Sequence, residues 1–508
     1  MANGVDVIWR HAEESPERIA LREGDRRWSY GELARCISTA AERLRERGIG
    51  RGDRVLMVLP TSAEFVIAYH GVLALGATAV TVNPLCAPPE LEYFIEDADC
   101  VLAIGWAGDG PGEADAVTAA AKVRDVPLWK PSLADLGPAD ELGEVAVVDL
   151  LDAATLIYTS GTTGRPKGAV LTHANLVDTG EIFQRALAIS TEDRMGTALP
   201  LFHIFGQGAV MRPVWTAGAS LSLLRPFNGA ALLELAAAHR LTAVSGVPTM
   251  WNEMLHAETD RTAADFTALR LACSGGAALP LEVARAFKAR FGADVLDGYG
   301  LSETTGAATF NRPDGDRKQG SVGRSLPGVK VAIVDTDGIE VRRGEVGEVA
   351  IDGPVVMREY WNRPEATAAV RRGAWFLTGD LGRMDEDGHV FIVDRLKDLI
   401  IRGGYNVYPR EVEEVLFSHP GVREAAVIGV PDERLGEEIA AVVAPIPGEV
   451  IDPAELRAWL TEQLAAYKIP RVYEFVEALP KGATGKILKR GIDRDRLLVT
   501  GARPPRPA

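Results

Sequence analysis

The eleven residues Tyr158-Thr159-Ser160-Gly161-Thr162-Thr163-Gly164-Arg165-Pro166-Lys167-Gly168 carry five hydroxyls, three glycines and one lysine. These residue types suit a phosphate. Glycines let backbone N–H groups approach an anion closely, hydroxyls donate hydrogen bonds, and the lysine adds a point charge. Apolar runs on either side, at 154–157 and 169–171, predict two strands, so the stretch reads as a hairpin connection. It is not a P-loop, which needs Gly directly before the Lys, Ser or Thr directly after it, and a helix opening there. Lys167 stands instead between Pro166 and Gly168. Clusters of Gly, Thr, Ser and Pro are usually plain surface turns, so the reading depends on the order of these residues and on support from the rest of the chain.

Downstream, other stretches offer chemistry. Leu199-Pro200-Leu201-Phe202-His203-Ile204-Phe205-Gly206 sets a histidine among aromatics at a strand end, where a packed residue is the commoner outcome. Ser274-Gly275-Gly276-Ala277 leaves room for a ligand, or makes only a tight strand-to-helix turn. Asp297-Gly298-Tyr299-Gly300-Leu301-Ser302-Glu303-Thr304 combines an aromatic face, a flexible backbone, a hydroxyl and a carboxylate. A base can stack on Tyr299, and Glu303 can hold Mg2+ against phosphates. In Trp375-Phe376-Leu377-Thr378-Gly379-Asp380 a carboxylate ends a strand, and it suits a diol because it has two acceptor oxygens and no competing donor. The segment 394–405 mixes charges with Gly403-Gly404, and Pro480-Lys481-Gly482-Ala483-Thr484-Gly485-Lys486 places a lysine on a loop near the end of the chain.

Taken in order, these stretches resemble the motifs of the adenylate-forming superfamily, which includes acyl-CoA synthetases, luciferases and the adenylation domains of peptide synthetases. The resemblance runs from about Trp28 to Lys489. It implies that Thr159, Ser160, Gly161, Thr162, Thr163, Gly164 and Lys167 hold the β- and γ-phosphates of ATP. Gly275, Asp297, Gly298, Tyr299 and Ser302 would receive the adenine side, Asp380 both ribose hydroxyls, and Arg395 the ribose or a phosphate. The family usually has Thr where Ser302 stands; the hydroxyl is kept. Glu303 would hold Mg2+. Phe202, His203, Gly206, Val247, Gly275, Gly276 and Ala277 would form the acyl pocket, with His203 at the carboxylate entry. Lys486 would bridge the acyl carboxylate and the α-phosphate. Asp394 would be a hinge, and Arg402, Gly403 and Gly404 would line the path of coenzyme A. Luciferases and plant coumarate ligases carry lysine where this chain has Ile401, and the run 400–409 resembles bacterial fatty acyl-CoA synthetases more closely.

The whole chain constrains the reading further. Its 508 residues allow two to four domains or subdomains, and a net charge of −16 argues against general nucleic-acid binding through phosphates. Between 481 and 506 eight basic residues face only Asp493 and Asp495, a possible anion contact or a solvated helix end. Cys36, Cys86, Cys100 and Cys273 are scattered without metal-ligand or disulfide spacing. The start of the sequence lacks a signal-peptide pattern, and the apolar window 65–82 contains Tyr69, His70, Gly71 and Gly76, so it reads as helix, turn and strand rather than a membrane span. A cytoplasmic enzyme with no integral membrane segment is expected, with a homodimer left open.

Periodicity supplies the framework on which these residues are mounted. Ser29-Tyr30-Gly31-Glu32 is a capping box before a helix with Leu33, Ile37, Ala40 and Leu44 on one face. Runs at 54–59 and 77–82 enclose a helix, and strands are expected at 196–200, 220–224, 242–247, 269–273 and 293–296, alternating with helices. Alternation of this kind predicts an α/β fold with helix-covered parallel sheets. The region 105–144 shows no period and reads as a surface connection. Residues 320–393 have short alternating runs broken by Asp-Gly and Arg-Gly turns, a meander or small β-barrel. From 394 a smaller α+β unit is expected, with helices near 410–417 and 453–464 and strands near 425–430 and 439–443. The predicted domains are therefore 1–393 and a mobile 394–508.

The reading is an acyl-CoA synthetase: a monocarboxylic acid, fatty or aryl, attacks MgATP to give acyl-AMP and pyrophosphate, and coenzyme A then takes the acyl group. No nucleic-acid partner is expected. A ligase loading a separate carrier protein would share the first half, a luciferase-like oxygenase is disfavoured by Ile401, and a non-enzymatic descendant by the presence of Glu303 and Lys486. A malonate-type acid would need a pocket arginine for its second carboxylate, and 202–208 has none.

Overall fold

A computed structural model describes residues 3–108, 113–159, 165–313, 315–482 and 484–504. The Ser29 capping box forms as the sequence predicts: Glu32 N–H donates to Ser29 Oγ at 3.2 Å, and Ser29 N–H to Glu32 Oε2 at 2.8 Å. The strand Arg54–Val58, the helix Ala63–Ala74 and the strand Thr78–Thr81 make a parallel βαβ unit. In that helix every residue except Glu64 is buried, the pattern of a helix enclosed on all sides. Gly76, at φ +70°, turns the chain into the next strand. No helix among the described residues is long and apolar enough to cross a membrane.

These elements belong to a seven-stranded sheet ordered Glu359–Tyr360, Lys167–Thr172, Ala153–Thr159, Thr78–Thr81, Arg54–Val58, Leu102–Gly105 and Leu128–Trp129. The second sheet has nine strands, with Arg194–Thr197, Ala243–Gly246, Leu271–Gly275 and Val295–Tyr299 adjacent and parallel in its middle. All the strands expected between 196 and 296 are present, with ends shifted by up to three residues. The region 105–144 differs from expectation, because it contains the helix Glu113–Val123 and the edge strand Leu128–Trp129. That helix is rich in alanine, which favours helix without giving a strong apolar stripe, and a two-residue strand is too short to show a period.

Residues 320–393 supply a five-stranded antiparallel sheet built on Lys330–Val334, Val346–Asp352, Trp375–Met384 and Val390–Arg395, with Arg371–Arg372 at one edge. They also feed the larger sheets: Arg324–Ser325 ends the nine-stranded one, and Glu359–Tyr360 pairs with Lys167–Thr172. After Arg395 the chain enters a different sheet within five residues, at Ile400–Arg402. There Val422–Asp432 and Gly436–Pro445 form a long antiparallel pair, joined by Val472–Phe475 in parallel. Ile400, Val412, Leu416, Val427, Leu456 and Tyr473 make a core of this unit's own, the mark of a separate smaller domain. The helices Pro409–Phe417 and Pro453–Thr461 cover it near their expected places.

Candidate active site

A cavity of about 1450 Å³ opens where the two large sheets, the five-stranded sheet and the C-terminal unit meet. Strand ends bring most of the predicted residues to its wall. The hairpin Ala153–Thr159 and Lys167–Thr172 presents Thr159 and Lys167. Ser160, Gly161, Thr162, Thr163 and Gly164 lie outside the described residues. The flanks of that loop are anchored from outside the cavity: Tyr158 Oη donates to Asp97 Oδ2 at 2.8 Å, and Tyr93 Oη to the Pro166 carbonyl at 2.6 Å. The Tyr158 hydroxyl, counted in the sequence among the phosphate donors, is therefore committed elsewhere.

Glu303 is buried, and its Oε1 accepts from Tyr360 Oη at 2.8 Å and from Thr159 Oγ1 at 3.2 Å. Its Oε2 has no hydrogen-bond partner among the described residues. The Lys167 ammonium lies 5.4 Å from the centre of the Tyr360 ring, so this tyrosine, which no sequence motif indicated, holds both the acid and the base of the phosphate side. A free carboxylate oxygen beside a hydroxyl fits a hard divalent cation.

Across the cavity, Tyr299 Oη donates to Asp380 Oδ2 at 2.6 Å, and Arg395 Nε lies 3.3 Å from Asp380 Oδ1. Burial raises the Asp380 carboxyl, against the opposing pull of Arg395 and Tyr299. Asp297 is buried in the strand Val295–Tyr299, directly before its last two residues Gly298 and Tyr299, and does not line the cavity itself. Its Oδ1 is unpartnered, and burial pushes it up to about 7 although Arg410 of the C-terminal unit pulls the other way. Gly298, Tyr299, Ser302, Gly275, Gly276 and Ala277 line the wall.

Lys486 enters this space from the C-terminal unit. A Cβ on Gly276 would come within 2.6 Å of Lys486 Cε and 2.8 Å of its Nζ, so a side chain there would displace the end of the lysine, and it would also be strained at φ +82°. Burial, helped by the nearby Arg395, lowers Lys486 to about 8. Its loop is tied down by Thr249 Oγ1, which donates to the Gly485 carbonyl at 2.6 Å, and Asn252 Nδ2 donates to the Arg423 carbonyl at 3.1 Å. His203 Nδ1 accepts from Phe205 N–H at 3.2 Å, and burial with the Lys486 charge lowers the imidazole to about 3. The ring is neutral, and its proton sits on Nε2.

Phe202 and His203 line the cavity, whereas Gly206 and Val247 stand behind the wall. Gly206 packs on the Pro200 carbonyl, and Val247 lies under Gly276 and Gly485. A lobe that the motifs did not reveal extends between the helix His173–Ala186 and the nine-stranded sheet, lined by Phe183, Leu187, Met195, Ala209, Phe310 and Val322. The predicted coenzyme A residues are elsewhere. Arg402 is buried, with Nη2 donating to Glu438 Oε2 at 2.9 Å and Nη1 to the Tyr467 carbonyl at 2.8 Å, so its charge is neutralised inside the C-terminal unit. Gly403 and Gly404 form an exposed turn at φ +58° and +86°. Asp394 is buried, with Oδ1 accepting from Arg395 N–H at 2.8 Å and Oδ2 from Arg410 N–H at 3.0 Å.

Residues 8–361 match the model of the AMP-binding enzyme family, and residues 411–486 that of the AMP-binding enzyme C-terminal domain. The chain belongs to the AMP-binding enzyme family. Among relatives, it is 39% identical to a feruloyl-CoA synthase of an Amycolatopsis species over 96% of this chain and 97% of that one. It is 35% identical to a long-chain-fatty-acid–CoA ligase of Bacillus subtilis over 95% and 93%. Of solved structures, ATP-bound MatB from Rhodopseudomonas palustris superposes with a TM-score of 0.90 at 34% identity, covering 98% and 99% of the two chains. Apo MatB, at the same identity and coverage, gives 0.79. The described arrangement is thus nearer to the ATP-bound form of that protein. The chain is an AMP-forming acid–thiol ligase that makes acyl-CoA through acyl-AMP, with ATP and coenzyme A as its partners.

Proposed function

We propose that this ligase activates an apolar monocarboxylic acid, fatty or aryl, and that it does so in the cytoplasm. The observation that carries the reading is the stretch of cavity wall formed by Phe183, Leu187, Met195, Ala209, Phe310 and Val322, side chains that are all apolar and offer nothing to a second carboxylate. Arg212, the first arginine after the His203 stretch, is fully buried and does not line the cavity. Each methylene buried in such a lobe contributes about 0.8 kcal/mol.

In this reading the acid enters past His203, whose Nε2–H is free to orient the carboxylate. Lys486 offers its ammonium to the carboxylate and the α-phosphate, and Lys167 and Thr159 face the outer phosphates. Asp380 receives the ribose, and the adenine lies along Gly275 and Tyr299 beside Gly298, Ser302 and the backbone of Asp297. Mg2+, when bound through Glu303 Oε2, would offset phosphate charge as the acyl-adenylate forms. After pyrophosphate leaves, the C-terminal unit, taken as 394–508, turns about Asp394, withdraws Lys486, and brings the Gly403-Gly404 turn to the path of the thiol. The different superpositions on ATP-bound and apo MatB support two arrangements of the units.

The test is coenzyme A-dependent turnover of acetate, octanoate, ferulate and malonate. Octanoate or ferulate should exceed acetate and malonate in kcat/KM by at least about tenfold. A preference for malonate or acetate would remove the reading.

A further inference from the structure

Arg212 begins the helix Arg212–Ala217, directly after the π-helix Phe205–Met211. It is completely buried, and it forms no ion pair with a carboxylate among the described residues. Its Nε donates to the Leu176 carbonyl at 3.1 Å and its Nη1 to the Gly4 carbonyl at 2.5 Å, while Nη2 has no partner. The ionisable groups whose charges reach it are Tyr69, His70 and His173, none of them a carboxylate. A guanidinium stays protonated even here, where burial pushes it down to about 10. A whole positive charge in the interior with nothing opposing it is costly.

The tautomers of the two histidines are fixed by their neighbours. His173 Nδ1 accepts from Gly4 N–H at 3.1 Å, so its Nε2 carries a proton, and that N–H is buried without a partner. His70 Nδ1 lies 2.7 Å from the Val66 carbonyl and must donate, leaving Nε2 a bare acceptor, also unpartnered. Trp215, edge-on to His70 with ring centres 6.1 Å apart, has an unpartnered Nε1–H as well. The buried side-chain atoms left unpartnered around Arg212 are thus its own Nη2, the N–H groups of His173 and Trp215, the His70 Nε2 acceptor and the Thr179 hydroxyl, beside Gly180, which packs on the Arg212 carbonyl; the charge itself has no counter-ion among the described residues.

We propose that this cluster is a binding site for a small monovalent anion, a halide, held at Arg212 Nη2 beside the helix that lines the acyl lobe. A halide supplies the missing charge and needs no preferred direction of approach from its donors. A water joining Nη2 to His70 Nε2 would satisfy two atoms and leave the charge unopposed.

The test compares thermal unfolding of the full chain in sodium chloride and sodium gluconate at constant ionic strength. Raising chloride from 1 to 100 mM should raise the midpoint by roughly 2 °C or more, since a ligand of the native state stabilises it by mass action. Bromide should do the same, and Arg212→Met should lose the difference between the salts. Crystals of the wild-type protein in sodium bromide should show an anomalous peak beside Nη2, a measurement independent of whether the variant folds. Equal midpoints in the two salts, an unchanged chloride response in Arg212→Met, or a bromide map with only a water at Nη2 would each overturn the proposal.

Discussion

The loop carrying Lys486 and the turn Gly403-Gly404 belong to the same C-terminal unit but sit in opposite surroundings. Lys486 is enclosed against Gly276, and its ammonium is held down to about 8 by burial. Gly404 is exposed, and a Cβ placed on it would meet nothing within 4 Å. Near the lysine, two side-chain bonds from Thr249 and Asn252 tie the unit to the large domain. Arg410 Nη1 also reaches the large domain, donating to the Ile392 carbonyl at 2.6 Å, and the unit keeps a core of its own. On the proposed reading, each face serves one half of the reaction.

The largest expected effect is at the buried face. Lys486→Ala should slow adenylation by on the order of 100- to 1000-fold, the range seen for loss of a donor that acts on developing charge. ATP–pyrophosphate exchange would measure it, and a loss below tenfold would separate the burial of Lys486 from catalysis. A companion effect arises from its lowered pKa. Lys486 is charged below about 8 and loses its proton as pH rises through that value, so kcat/KM for adenylation should decline on the alkaline side. His203, lowered to about 3, contributes no step between pH 5 and 9. Lys486→Arg should move the decline out of the measurable range; a profile identical to wild type would assign it to another group.

How far this site could be read in the sequence depends on how local each part is. Lys167 at the start of a strand, Glu303 in the 3-10 helix Ser302–Thr304, and Asp380, which stands in the middle of the strand Trp375–Met384 rather than at its end as expected, were legible because each is carried by a short contiguous run, and the fold brings all three to one cavity. Parallel strands between 194 and 299 were legible through apolar runs and turns. Tyr360 was not, because its role is set by Glu303, 57 residues away, and by a two-residue strand with no period of its own. Arg402 was expected to line the path of coenzyme A because it adjoins Gly403-Gly404 in the chain, whereas its partner Glu438 lies 36 residues on. The apolar lobe was invisible for the same reason: Phe183, Met195, Ala209 and Phe310 come from four separate elements.

That lobe allows a test that leaves the C-terminal faces untouched. Ala209→Phe should fill space on the π-helix and lower kcat/KM for octanoate about 10- to 100-fold relative to acetate, corresponding to about 1.4 to 2.7 kcal/mol. An unchanged ratio would place the acyl chain elsewhere. A smaller effect is expected from Thr249→Val, which removes the 2.6 Å bond to the Gly485 carbonyl. Such a bond contributes about 0.5–1.5 kcal/mol net, so adenylation should fall by up to about tenfold while thioester formation from preformed acyl-adenylate is kept. Equal losses in both steps would mean that Thr249 supports the fold rather than the docked lysine.

The most direct test of the two-faced unit is to assay both half-reactions in Lys486→Ala and Gly404→Leu side by side. Lys486→Ala should lose acid-dependent pyrophosphate release and still convert preformed acyl-adenylate and coenzyme A to the thioester. Gly404→Leu, which places a side chain where φ is +86° and obstructs the proposed thiol path, should release pyrophosphate in a single turnover and fail to form the thioester. If the two variants instead lost both half-reactions to the same degree, the faces would not alternate, and Lys486 and Gly404 would have to belong to one fixed centre.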